Sequence, residues 1–356
     1  MKNFKKVFPI LQQYTYLNTA ASGLLPTPVM EWRQEHDLDF LVGGSMLKEK
    51  QGKILSGVRE KVGKLFGCLP ERVALVPNFS YGFNTLVEGL EGSEKVLLLE
   101  QDYPSVNWPF TSRGFDVRYV SITEKVEDDI EAAFAKAQPH IFAFSLVQWL
   151  NGIKLDQEFL KSLKSKYPDT LFIADGTQYM GTEVFDFDNS AIDALGASTY
   201  KWMNAGYGNA FFLFKKQVAE KVGAQTTGFN ALQGKYKPQE GSFLGRFEPG
   251  HQDTLNYGSL GEAIDLINQI ELETIQSKIA TLATSAKEAF AERGLIDSAI
   301  TNRKNHSSIF NIKGDEALVQ KLRTEDIIVI ARGEGVRVSF HYFNTEDDLN
   351  RLLSFL

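Results

Sequence analysis

Two side chains in the segment LFIADGTQYMGTEVFDFDNSAIDALGASTYKWMNAGYGNAFFLF (171–214) have types and spacing that suit joint chemistry. Asp175 ends the apolar run LFIAD, and Lys201 follows a second run, ALGAS (194–198). If both runs are neighbouring strands, a carboxylate and an amine face one pocket at the sheet edge. A lysine amine holds an aldehyde as an imine, and an acid beside a ring nitrogen keeps it protonated, so that the ring accepts electrons from a carbanion. Pyridoxal 5'-phosphate (PLP) has both needs. Gln178 adds an amide donor suited to the ring's phenolate oxygen. Taken alone, a strand-end aspartate and a loop lysine are common, and the pair does not decide the matter.

The elements that must position these groups are legible as patterns. VALVP (73–77), KVLLLE (95–100), DVRYVSI (116–122), HIFAFSLV (140–147), LFIAD, ALGAS and AFFLF (210–214) read as apolar strands. Helical spacing covers 29–66, with Ile54, Val58, Val62 and Leu65/Phe66 as one face, and recurs over 80–90, 126–138 and 156–166. This alternation predicts an α/β fold: a large domain with a mainly parallel sheet flanked by helices, followed by a smaller α/β domain. Functional groups then gather at the carboxyl ends of the strands, where Asn78, Phe79, Ser80, Asp102, Tyr103, Gln148, Trp149, Asp175 and Ser198 fall. Residues 224–250 are glycine-rich and read as a long loop. Residues 260–293 read as one long connecting helix, and 306–356 as short strands with helices at 315–323 and 345–355. The expected division is an amino-terminal segment over 1–20 that packs with the small domain, a large domain over 21–258 and a small domain over 259–356.

Bulk properties narrow the class. The chain has 356 residues, 43% of them hydrophobic and 23% charged, enough to bury a large core. A net charge of −7 argues against nucleic acid as a partner. The single cysteine, Cys68, excludes an intrachain disulfide and a four-cysteine zinc site. No signal peptide, no membrane-spanning run and no metal site are expected, and the predicted location is the cytoplasm.

The order of segments along nearly the whole chain resembles the class V aminotransferase and cysteine desulfurase family of PLP enzymes of fold type I. Asp175, Gln178, Ser198 and Lys201 match that family's strand ending in D-x-x-Q and its Ser-x-His-Lys turn, with Tyr200 in place of the histidine. YLNTAASGLLPTPV (16–29) resembles the amino-terminal segment near the substrate, which brings Asn18 to the site. RVALVPNFSYGFNTLVEGL (72–90) resembles the phosphate-binding turn, with Phe79 and Ser80 at a helix start. EQDYPSVNWPF (100–110) resembles the segment whose aromatic residue, here Tyr103, stacks on the cofactor ring. In SLVQWLNG (145–152), Trp149 stands where desulfurases carry an asparagine. RFEPGHQDT (246–254) resembles a segment that reaches the cofactor phosphate of a neighbouring subunit, with His251 for the usual threonine. The resemblance therefore implies a homodimer with shared sites. GEGVRVSFHYFNTEDDLNRLL (333–353) resembles the family's R-x-S-x-x-x-Y/F-N-T stretch, with Arg337 as the residue that grips the substrate's α-carboxylate.

The resemblance implies a PLP enzyme acting on an amino acid, with Lys201 as Schiff-base lysine and proton-transfer base. Desulfurases need a cysteine shortly before the arginine, and IIVIARGEGVRVS holds none. Persulfide-forming desulfuration is therefore not expected. Transamination comes first because it needs the fewest extra groups. A thiol-free lyase and an epimerase are the alternatives, and a non-catalytic binding protein is the alternative of another class.

Overall fold

The computed structural model describes residues 4–229, 231 and 242–356. In chain order its strands are β1 (Thr15–Tyr16), β2 (Val73–Val76), β3 (Lys95–Leu99), β4 (Asp116–Val120), β5 (Ile141–Ser145), β6 (Leu171–Asp175), β7 (Ala194–Ser198), β8 (Ala210–Phe214), β9 (Ile309–Lys313), β10 (Ile327–Ile328), β11 (Ile330–Arg332) and β12 (Gly335–Ser339). Seven of them form one sheet in the order β2-β8-β7-β6-β5-β3-β4. Neighbours from β4 to β7 run parallel, and β8 runs antiparallel to both β7 and β2. The fold is α/β with a mainly parallel sheet, as the alternation predicts.

Apolar runs become central strands because both sheet faces are covered. Every residue of β5, β6, β7 and β8 is buried. The edge strand β4 instead exposes Asp116, Arg118 and Tyr119, charges and bulk that discourage edge pairing with another chain. Helices Val126–Ala137 and Gln157–Lys166 make the crossovers β4–β5 and β5–β6. A further helix, Pro104–Thr111, connects β3 to β4. The sequence pattern does not reveal it, since its Pro104, Pro109 and mixed aromatics carry no helical stripe. From β3 the chain goes outward to β4 and then returns inward to β5. The strand order therefore reverses between β3 and β5, where open α/β sheets leave a crevice at the strands' carboxyl ends.

Two helical expectations shift. The helix Leu47–Phe66 buries Leu55, Val58, Val62 and Phe66, and Ile54 is only half-buried. The stretch 260–293 is two helices, Thr254–Ile270 and Leu272–Glu292, separated by Glu271 at φ 74°. A left-handed residue breaks the helical path, and with no glycine or proline there nothing in the pattern signals it. Part of the 224–250 loop expectation, at 230 and 232–241, lies outside the described residues. A 3₁₀ turn at Leu244–Arg246 stands near its end.

The carboxyl-terminal strands form an antiparallel sheet, β11-β12-β9, and β10 pairs in parallel with β1. The amino-terminal segment continues along this region. Ser339 N–H donates to Leu17 O (2.9 Å), and Ala20 N–H donates to Ser339 Oγ (3.0 Å). Among the described residues no helix is long and apolar enough to cross a membrane.

Candidate functional site

A cleft opens at the carboxyl ends of the parallel strands. Its walls include Phe79, Ser80, Tyr103, Trp149, Asp175, Gln178, Ser198, Tyr200 and Lys201. Nine of the twelve residues given a catalytic, cofactor or substrate role from sequence thus line one cavity. Arg337 lies at its edge and donates from Nη1 to Trp149 O (2.6 Å).

Asp175 ends β6 and is buried. Thr177 N–H donates to Asp175 Oδ1 (2.7 Å), and Thr177 Oγ1 accepts from Ser198 N–H (3.1 Å). Thr177 therefore fixes the strand-end carboxylate to the end of β7. Burial pushes the Asp175 carboxyl up, while the Thr177 hydrogen bonds and the Lys201 charge pull it back. A second carboxylate, Asp102, accepts from Tyr103 N–H and Ser145 N–H (2.7 Å each), tying the crevice walls at β3 and β5 together. It is buried too, and its charge adds to the upward push on Asp175.

Lys201 is buried, and its Nζ makes no hydrogen bond or ion pair with the described residues. The ammonium sits 5.8 Å from the Tyr103 ring centre and 5.6 Å from that of Tyr200. Desolvation first, and then repulsion from Arg337, bring its pKa down to about 7 against the opposing pull of Asp175. The loop that carries Lys201 is pinned from behind. Trp202 Nε1 donates to Gln178 Oε1 (2.7 Å), and Gln178 Nε2 donates to Ala20 O (2.9 Å). His341 Nε2 lies 2.9 Å from Trp202 O. Gly23 N–H donates to Tyr200 O (2.9 Å), and a Cβ on Gly23 would stand 1.9 Å from Lys201 O, so only glycine lets these segments touch.

At the opposite wall, the helix Phe79–Glu88 starts in the cleft. Asn78 caps it by accepting from Tyr81 N–H (2.9 Å), and Phe79 N–H donates to Ser198 Oγ (2.9 Å). Stacking of Phe79 on Phe83 (5.0 Å) and Phe212 (5.7 Å) seats this end of the helix on β8. The Ser80 N–H has no acceptor among the described residues, which leaves a free donor at a positive helix end. Tyr103 meets Trp149 edge-on at 5.9 Å, forming the cleft's aromatic wall. Tyr200 stacks on Tyr207 at 4.5 Å, and burial pushes its hydroxyl up to about 12.

Arg337 is buried on β12, and burial with repulsion from Arg332 pushes its pKa down to about 10. Its Nε is buried without a partner, as is Asn18 Oδ1. Asn18 bridges to Ser339 on the same strand. His251 lies apart from the cleft. It is exposed and packs on Phe229 at 4.9 Å. Cys68 lies just before β2, whose far end feeds the cleft. It is buried, and desolvation raises its thiol to about 11.

Sequence reasoning missed Thr177 and Ser145 and gave Asp102 no role. Asp102 had a signal in its strand-end position. Thr177 had only its place between Asp175 and Gln178.

The family model described as aminotransferase class-V matches residues 15–352. An uncharacterized aminotransferase of Bacillus subtilis (strain 168), YcbU, is 21% identical over 99% of this chain and 96% of its own length. Isopenicillin N epimerase of Amycolatopsis lactamdurans is 23% identical over 95% of this chain and 93% of its own. Among solved structures, a C-DES mutant with glycine covalently linked to its PLP cofactor overlays with a TM-score of 0.90 at 16% identity, covering 98% of each chain. At that identity the overlay speaks for the fold alone.

Proposed function

The chain belongs to the class V aminotransferase family, and from that premise we propose that it is an aminotransferase in which Lys201 carries the cofactor and moves the proton. At the coarser level it is a PLP-dependent enzyme acting on an amino acid. The residues present fit that cofactor. The free Ser80 amide at a helix start suits a phosphate dianion, with Ser198 and Tyr200 beside it. The buried Asp175 carboxylate suits the ring nitrogen, the Tyr103 ring suits stacking, and Gln178 keeps one amide N–H beyond those it uses for Ala20. His251, exposed and away from its own cleft, fits a contact to a second copy in a homodimer. When bound, PLP supplies an electron sink for charge that develops at the substrate's α-carbon.

The chain's own residues divide the remaining work. Arg337 has a buried Nε still without a partner, and a substrate α-carboxylate completes its fork. That contact orients the α-carbon toward Lys201. The Lys201 amine, with a pKa of about 7, is neutral in a large fraction of molecules at physiological pH and can take the α-proton. Trp149 and Tyr103 form the aromatic wall on one side of that position.

A single observation supports transamination over epimerisation. Among the described residues that line the cleft, Lys201 is the one lysine, arginine or histidine, and Asp175 would be engaged by the ring nitrogen. Transamination moves a proton between two positions with one base. Epimerisation needs a second acid, and a Tyr200 hydroxyl raised to about 12 serves poorly. Persulfide-forming desulfuration needs a thiol, and Cys68 is buried beyond the other end of β2. The test is an amino-acid panel on the holoenzyme. Conversion of the cofactor to its pyridoxamine form, with one keto acid released per cofactor, is expected. Ammonia or sulfide release, or racemisation without keto acid, would overturn it.

A further inference from the structure

The register of the carboxyl-terminal sheet places a second arginine beside Arg337. On β11 and β12, Ile330 pairs with Arg337, Ala331 with Val336 and Arg332 with Gly335. Directly paired residues share a face, and side chains alternate along a strand, so Ile330, Arg332 and Arg337 lie on one face. The other face is apolar. Val336 and Val338 are fully buried in the core with Ile312, and Ala331 packs against that core. The arginine face is the one toward the cleft, because Arg337 donates to Trp149 O. The β11–β12 turn also leans on the cleft rim, where a Cβ on Gly333 would meet the Leu150 side chain at 3.1 Å.

Arg332 stands diagonally from Arg337 across the strand pair, a separation of roughly 7–8 Å at the backbone that long side chains span. It is exposed, and among the described residues no carboxylate pairs with its guanidinium. The mouth thus gathers Arg332, Arg337 and Lys201, while Asp102 and Asp175 sit buried at the strand ends and Glu334 stands exposed in the turn after Arg332 without pairing with it.

We propose that Arg332 makes this enzyme selective for dicarboxylic amino acids of the aspartate and glutamate type, with the α-carboxylate on Arg337 and the distal carboxylate on Arg332. The proposal rests on the amino-acid site described above and names its substrate class. Two cations on one face accept a short chain with a carboxylate at each end. A neutral side chain would leave Arg332 with water only.

Glutarate and butyrate are probes of this arrangement that cannot react, since neither has an amine. Calorimetric titration of the PLP-loaded protein at low ionic strength compares them. Glutarate should bind about fivefold more tightly, the upper range for one exposed ion pair. The preference should shrink with added salt. Arg332→Gln should bring the glutarate-to-butyrate ratio toward one, and Arg332→Lys should keep part of it. Equal binding by the wild-type protein, or a ratio that survives Arg332→Gln, would overturn the proposal. A protein that takes up no PLP would instead refute the site itself, and its cofactor absorbance reports that separately.

Discussion

The indole Nε1 of Trp202 donates to the side-chain oxygen of Gln178 at 2.7 Å, so the residue after Lys201 is tied to the turn that follows Asp175. Acid and amine are held by one buried bond that touches neither. Gln178 uses its other end on Ala20 O and thereby fastens the amino-terminal segment as well.

Replacing Gln178 with leucine removes both bonds and leaves a buried indole N–H and a buried carbonyl without partners. The expected loss of stability is about 2–4 kcal/mol, read from denaturant unfolding of the cofactor-free protein. A loss below about 0.5 kcal/mol would contradict the role of this bridge.

The Lys201 amine predicts how cofactor capture depends on pH. A solvated lysine holds its proton to about 10.4. Desolvation and Arg337 bring Lys201 down to about 7, so it is a protonated non-nucleophile below that pH and a free amine above it. The rate of PLP capture by the cofactor-free protein should rise through pH 7 and level off above it. A rate that keeps climbing toward pH 10 would mean an ordinary lysine. Arg337→Met removes one of the three depressing causes, leaving desolvation and the Arg332 charge, and the midpoint should move upward.

Arg337→Ala should cost on the order of 2–5 kcal/mol in kcat/KM for substrates with an α-carboxylate, the range for losing one partner of a buried charged pair. Simple amines should lose far less. Equal losses for both classes would place Arg337 outside substrate binding.

Much of this was legible in the sequence because the same physics writes both. β6, β7 and β8 match the apolar runs LFIAD, ALGAS and AFFLF, since strands covered on both faces admit no polar interruption. Asp175 and Lys201 stood out because polar groups after such runs fall at the sheet's carboxyl edge. What escaped depends on contacts distant in sequence. The pairing of β1 with β10 joins residues more than three hundred positions apart, and two-residue strands leave no period to read. Arg332 carries no signal of its own in the sequence, and only strand register puts it on the face of Arg337. The break at Glu271 has no glycine or proline to announce it.

Cys68 offers a clean negative. Its thiol is buried and raised to about 11, so it should react slowly with iodoacetamide at neutral pH. Cys68→Ala should leave turnover unchanged, at a stability cost of about 1 kcal/mol for the small cavity. Lost turnover in a folded, PLP-loaded variant would reopen thiol chemistry.

The assignment of Lys201 is tested most directly by reducing the PLP-loaded protein with borohydride, digesting it and locating the pyridoxyl group by mass spectrometry. The group should sit on Lys201 alone, and Lys201→Ala should give no labelled peptide while keeping its fold. Label on any other lysine of the wild-type protein, or none at all after loading, would contradict the account.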